Sequence, residues 1–370
     1  MLDWLKSWLE VRQNFKNKYN GKRKPRSDNE GHLKKHRSPL LNVSSWYFFL
    51  GALFLSASLP AFADSPESLT PDPVVQNPPE GKVPQTLVSL SSDTHYAFVV
   101  DKAKRTLTLW KNSKIPSLVA AYPTDMGKEK GNKLYRGDSR TPEGIYFFQQ
   151  TYQQPYLDFE LYGQRAFTMD YPNFFDRREK KTGGGIWLHA IPDTKSLNRG
   201  SRGCVVVRND VIDKLKVYIE LKKTPVIVQN QVDYLSPEEW LKQQSDKTAW
   251  LKNWKEAWES KNIDAYMAFY GNDFKSSGMD LKHWKKFKES LNEKYQFIKV
   301  ALHKADIFKN RDQYIFRFAQ DYQSDQNHDV GVKYLYVKDE NGTLKILGED
   351  WNRADTTTTL SSSETPPDRS

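Results

Sequence analysis

Cysteine is almost missing from this chain of 370 residues: Cys204 is the only one. That excludes a disulfide scaffold and leaves one thiol with no partner in its own chain. Histidine is scarce too, with seven copies scattered along the sequence. One cysteine and dispersed histidines lack the spacing of a ligand cluster, so neither a metal nor another cofactor is expected. Long apolar runs are missing apart from one near residues 46–62, and a mean hydropathy of -0.77 with 38% hydrophobic residues excludes a polytopic membrane protein. Aromatics at 13% are too many for a wholly disordered chain. No internal repeat is present. A charge of one sign is missing as well, despite a formal net charge of +10 that suggests nucleic-acid binding. Residues 1–45 hold 11 Lys and Arg against 4 Asp and Glu, so +7 of the total sits there and only +3 remains after residue 63. The basicity belongs to the leader, and no nucleic-acid partner is expected.

The leader has its own logic. Basic residues from Lys22 to Arg37 precede the apolar core of 46–63, which ends at Pro60-Ala61-Phe62-Ala63. A positive region, a short apolar core and a small-x-small site predict an export signal cleaved after Ala63, or an uncleaved anchor through which alone the protein would touch a membrane. The folded part is then placed in the periplasm or cell envelope. Residues 64–92 carry Pro66, Pro71, Pro73, Pro78, Pro79 and Pro84 and read as an extended, poorly ordered linker. The length calls for two domains, at 93–230 and 246–353, joined by a second linker at 231–245 and followed by a disordered tail at 354–370.

Region 93–230 reads as mostly strands. Tyr96–Val100 and Arg105–Trp110 flank a turn at Asp101–Lys104 and form a hairpin, with further strands at 117–122, 144–149, 166–169, 185–189 and 224–229. One helix follows Asn209 as its expected cap. The chemistry gathers at Ser201-Arg202-Gly203-Cys204. A lone thiol is often only a small buried hydrophobe. Here a glycine precedes it, allowing the backbone freedom that a nucleophile's turn needs, and a strand ending in His189 lies 15 positions earlier. A free thiol is only a few per cent thiolate at neutral pH, so a neighbouring imidazole is its usual activator. Cys204 and His189 are therefore the nucleophile and general-base candidates. Of the other histidines after the leader, His95 reads as a solvated loop residue and His283, His303 and His328 as surface or edge residues.

The order Thr141-Pro142-x-Gly144, then His189, then Ser201-x-Gly203-Cys204 resembles the L,D-transpeptidase catalytic domain, also called YkuD-like. The resemblance implies a mainly β, sandwich- or barrel-like fold and action on peptidoglycan stem peptides. Cys204 would attack the carbonyl joining the diamino acid at position three to the terminal D-alanine, release that D-alanine and leave a thioacyl-enzyme. The backbone N–H groups of Gly203 and Cys204 are the expected oxyanion hole. A backbone carbonyl, that of Ala190, is the expected group to orient His189. Arg202 stands where a histidine is common in the family, and Val206 where an arginine is. Substrate binding is assigned to Ser201, Arg202 and Arg208. Thr141-Pro142-Glu143-Gly144 is read as a turn framing the cleft, and Gly183-Gly184-Gly185 as a loop that could hinge a cleft-covering segment over 156–181.

In the second region, Trp250, Trp254 and Trp258 recur every four residues as the apolar stripe of a helix, read as core packing. Helices at 263–270 and 281–295 precede strands near 297–307, 313–322, 329–337 and 343–351, an α+β pattern. This order, with the aromatic spacing from Trp254 to Phe274, resembles a nuclear transport factor 2-like module. It carries no clear acid-base constellation, and a protein partner or a second copy of the chain is expected only through it. The two-domain order is similar to that of the L,D-carboxypeptidases that help set helical cell shape. Transfer of the acyl group to an amine is the first expectation, trimming of tetrapeptides to tripeptides the alternative, and an inactive wall-binding protein the third reading.

Overall fold

The computed structural model describes residues 69–353, which lie in one compact unit. The expected export signal, cleavage site and anchor, the start of the linker and the tail from 354 lie outside the described residues. No described helix is long and apolar enough to cross a membrane.

The proline-rich segment is not a free spacer over its later half. β1 (Val83–Pro84) pairs antiparallel with residues 234–235, and β2 (Leu87–Ser89) joins the edge of the C-terminal sheet. Leu87 and Val88 are fully buried. The apolar pair outweighs the surrounding prolines, because a sheet edge offers partners for its backbone and two cores take its side chains.

The first domain is mainly β, as expected. Its strands are β3 (Tyr96–Asp101), β4 (Thr106–Lys111), β5 (Ser117–Pro123), β6 (Gly144–Gln153), β7 (Arg165–Met169), β8 (Trp187–Ile191), β9 (Val205–Arg208) and β10 (Pro225–Gln229). They form one sheet in the order β5-β4-β3-β10-β6-β7-β8-β9. Asp125, just past β5, exchanges backbone hydrogen bonds of 2.8 Å with Val206 of β9, so the sheet is nearly closed. Alternate side chains serve two cores. Phe98, Val100, Tyr146, Phe148, Val226 and Val228 fill the interior of the domain, whereas Ala97, Val99, Ile145, Phe147 and Ile227 face the C-terminal domain.

Three short helices interrupt the strands: α1 (Phe159–Tyr162), α2 (Phe174–Arg178) and α3 (Asn209–Leu215). Asn209 does not cap α3; it is the first helical residue, and its side-chain oxygen accepts from the Gln164 N–H at 2.9 Å. The expected cleft-covering segment over 156–181 is not a lid either. It contains β7 and α2, and Phe167, Tyr171 and Phe175 are buried, so only the stretch around α1 is left beside the site.

After β11 (Tyr234–Leu235), α4 spans Pro237–Glu259 and begins nine residues before the expected domain start. α5 (Ile263–Met267), β12 (Lys275–Ser276), β13 (Met279–Asp280) and α6 (Leu281–Lys294) follow. The long strands β14 (Ile298–Asn310), β15 (Gln313–Ser324), β16 (His328–Glu340) and β17 (Thr343–Arg353) then form a five-stranded sheet with β2. Trp254 and Trp258 of α4 pack with Tyr266, Trp284, Phe316, Phe318 and Leu335 between helices and sheet, the α+β arrangement read from the sequence.

Candidate active site

β8 and β9 bring the two ends of the sequence pattern together. They pair in parallel with His189 opposite Val206 and Leu188 opposite Val205, and Cys204 is the residue immediately before β9. The loop between them is anchored by Asp125, whose carboxylate accepts from the Arg199 N–H at 2.6 Å, the Gly200 N–H at 3.0 Å and the Arg105 guanidinium at 2.9 Å. Nothing in the sequence marks this aspartate, because its role arises only when β5 returns to β9.

His189 is buried, and its Nδ1 lies 2.6 Å from the Ala190 carbonyl oxygen. A carbonyl can only accept, so Nδ1 carries the proton and Nε2 is left with a lone pair. Burial pulls the imidazole down to about 4, against the Ala190 carbonyl and Asp125, which pull it up. The ring meets the edge of Tyr162 at 5.1 Å, and Tyr162 and Tyr152 both pack on Trp187, at 4.9 and 5.7 Å. This aromatic wall went unseen in the sequence, where the three residues lie in separate segments.

Cys204 is half-buried, and its thiol points at the Gly185 carbonyl at 3.6 Å. Burial pushes the thiol up to about 11, against the Trp187 N–H and Lys133, which favour the thiolate. Thiol and imidazole are thus both neutral at rest, with no hydrogen bond between them. Gly203 has φ of +128° and a Cβ there would come within 2.6 Å of the Arg140 carbonyl oxygen, so the turn before the sulfur requires glycine.

Three sequence assignments are placed differently. The Ser201 hydroxyl donates to the Cys204 carbonyl at 2.8 Å and accepts from the Gly203 N–H at 3.1 Å, so it shapes the turn and its proton is not free for substrate. The same bond takes the Gly203 N–H out of the expected oxyanion hole, whereas the Cys204 N–H donates to no described group. Arg208 does not face a substrate: its guanidinium pairs with Asp72, with Nε at 2.9 Å, and donates to the Lys195 carbonyl at 2.6 Å. Arg202 is exposed and forms no ion pair among the described residues. No three His, Cys, Asp or Glu side chains converge as metal ligands among those residues. Outside this site, Lys333 and Glu349 form a buried pair at 2.5 Å inside the C-terminal domain, and burial pushes the nearby Lys288 down to about 7.

Residues 95–228 match the family model of the L,D-transpeptidase catalytic domain, and residues 247–350 match that of the Cds6 C-terminal NTF2-like domain. Among solved structures, the chain is similar to Bd1075 of Bdellovibrio bacteriovorus, at 43% identity over 74% of this chain and 99% of that one, with a TM-score of 0.70. It is also similar to the helical cell shape determining protein Pgp2 of Campylobacter jejuni, at 26% identity over 72% of this chain and 95% of that one, with a TM-score of 0.59. A lysine-to-alanine mutant of the same protein matches at 25% identity over 72% and 94%, with a TM-score of 0.60. No curated protein sequence matches the chain.

Proposed function

The chain belongs to the family that joins an L,D-transpeptidase catalytic domain to a Cds6-type NTF2-like domain, and from that membership we propose that it is an exported cysteine enzyme acting on peptidoglycan stem peptides in the cell envelope. The observation that carries the reading is the 2.6 Å contact from His189 Nδ1 to the Ala190 carbonyl, which frees Nε2 as a base on the strand beside Cys204. The thiol must leave the Gly185 carbonyl to meet that base. The sulfur then attacks the carbonyl between the diamino acid and the terminal D-alanine while its proton passes to Nε2. The Cys204 N–H supports the developing oxyanion. Collapse expels the D-alanine amine, which takes the proton back from His189, and a thioacyl-enzyme remains.

The acyl group then passes to the amine of another stem peptide, forming a 3–3 cross-link. The second reading has water as acceptor, so that tetrapeptides become tripeptides. It is favoured by the domain order shared with a helical cell shape determining protein over 95% of that chain. Incubation with purified tetrapeptide muropeptides and mass analysis of the products decides between them: dimers identify transfer and tripeptide monomers identify hydrolysis. Cys204→Ala is expected to abolish both, and His189→Ala to cost about 10²–10⁴-fold. Turnover retained in Cys204→Ala would remove the nucleophile assignment, and binding without any turnover by the native protein would return the chain to the wall-binding reading.

A further inference from the structure

Lys102 and Glu143 form an ion pair of 2.9 Å with only 3% and 2% of their side chains exposed. Burying two charges is costly unless their remaining hydrogen-bonding capacity is met. The Lys102 ammonium meets it with three acceptors: Glu143 Oε1, the Thr141 carbonyl at 2.8 Å and the Gly131 carbonyl at 2.6 Å. The other Glu143 oxygen is paired by the Arg311 guanidinium. Arg311 lies in the turn between β14 and β15, so the C-terminal domain supplies the last partner of a carboxylate buried in the first domain.

The segment that holds Glu143 is the wall behind the cysteine turn. The Thr141 hydroxyl accepts from the Gly127 N–H at 2.7 Å, Gly127 is bridged to Ser201, and the Lys128 N–H donates to the Ser201 carbonyl at 2.9 Å. The Arg140 carbonyl oxygen lies 2.6 Å from where a Cβ on Gly203 would sit. On the other side, the Arg199 guanidinium donates to the Lys102 carbonyl at 3.1 Å. A shift of residues 140–143 is therefore transmitted to the backbone on both sides of Gly203, and with it to the sulfur and N–H of Cys204.

We propose that Arg311 is a positioning residue through which the C-terminal domain holds the catalytic turn in register, acting by way of Glu143 and Lys102. This rests on the assignment of Cys204 as nucleophile. Without the guanidinium, Glu143 and Lys102 move toward water and carry the 140–143 segment with them. Attack geometry tolerates little of this, since a misplacement of about 1 Å can cost about 10²-fold in rate.

The test uses the full chain as native protein, Arg311→Gln, Arg311→Lys and Arg178→Gln. Arg178 pairs with Asp273 at 2.5 Å across the same domain boundary, with no link to residues 140–143. The readouts are kcat and KM on a tetrapeptide muropeptide, the rate of Cys204 alkylation by iodoacetamide, and the melting temperature. Arg311→Gln is expected to lower kcat about tenfold at unchanged KM and to change the alkylation rate at least about threefold, while Arg311→Lys recovers most of both and Arg178→Gln changes neither. Native rates in Arg311→Gln, an equal loss in Arg178→Gln, or an Arg311→Lys as impaired as Arg311→Gln would each overturn the proposal. If the native protein leaves the muropeptide untouched, the functional reading fails, and the alkylation rates still decide whether Arg311 positions the sulfur.

Discussion

At the scale of single residues, the site is set by what burial does to two titratable groups. Withdrawal from water disfavours any charged form, so the imidazole falls to about 4 and the thiol rises to about 11. In the proposed reaction the proton would then move during attack, with no thiolate–imidazolium pair preceding it. The sign follows directly: the base form of His189 persists down to about pH 4, so kcat/KM should stay level through pH 6 and fall about tenfold per pH unit only below about 4. Alkylation of Cys204 tracks the thiolate and should keep rising about tenfold per pH unit from neutrality toward about 11. A plateau in the alkylation rate at neutral pH would show a preformed ion pair and count against the neutral resting state. That the segments of Cys204 and His189 come together, and that the Ala190 carbonyl meets the imidazole, was legible in the sequence, the first from residue type and short spacing and the second from the family resemblance. Ser201 and Arg208 were legible only as residue types. A hydroxyl three positions before the Cys204 carbonyl folds back onto it, and an arginine at the end of a strand meets Asp72 from a segment 136 residues away.

At the scale of elements, the start of α4 shows a local signal hidden by a stronger one. The tryptophan stripe from 250 to 258 draws the eye, yet Ser236-Pro237-Glu238-Glu239 is a complete helix start. The Ser236 hydroxyl accepts from the Glu239 N–H at 3.2 Å, the Glu239 carboxylate accepts from the Ser236 N–H at 2.7 Å, and proline sits in the first turn. The early turn matters to the fold because Trp240 is buried and its indole N–H donates to the Leu87 carbonyl at 2.5 Å. Ser236→Ala should cost about 1 kcal/mol, read as a fall in melting temperature with activity retained. An unchanged melting temperature would mean that tertiary contacts alone hold this turn. β9 is the opposite case. Three valines and an arginine after Cys204 are too short to announce a strand, and they become one because β8 lies on one side and Asp125 on the other.

At the scale of the whole molecule, the two domains share a core. Ala97, Val99, Phe147 and Ile227 of the first pack with Phe308, Ile315, Tyr336 and Leu347 of the second, and Leu87 lies among them. Leu87→Ala removes a fully buried side chain from that interface and should cost about 2–5 kcal/mol. A shared core also couples the halves, so chemical denaturation should give one transition, coincident by circular dichroism and tryptophan fluorescence; two separated transitions would show that the interface contributes little. Sequence alone determined the candidate nucleophile and base, the order of the two domains and most strands and helices, since these depend on residue chemistry and on period-two or helical patterning within short windows. Only the tertiary structure decided that the second face of the first domain's strands is an interface, that the proline-rich segment adds the edge strand of the C-terminal sheet, and that Arg311 supplies the last partner of the carboxylate behind the cysteine turn. An apolar strand face records that it will be buried, but its partner is chosen by the packing of segments hundreds of residues apart.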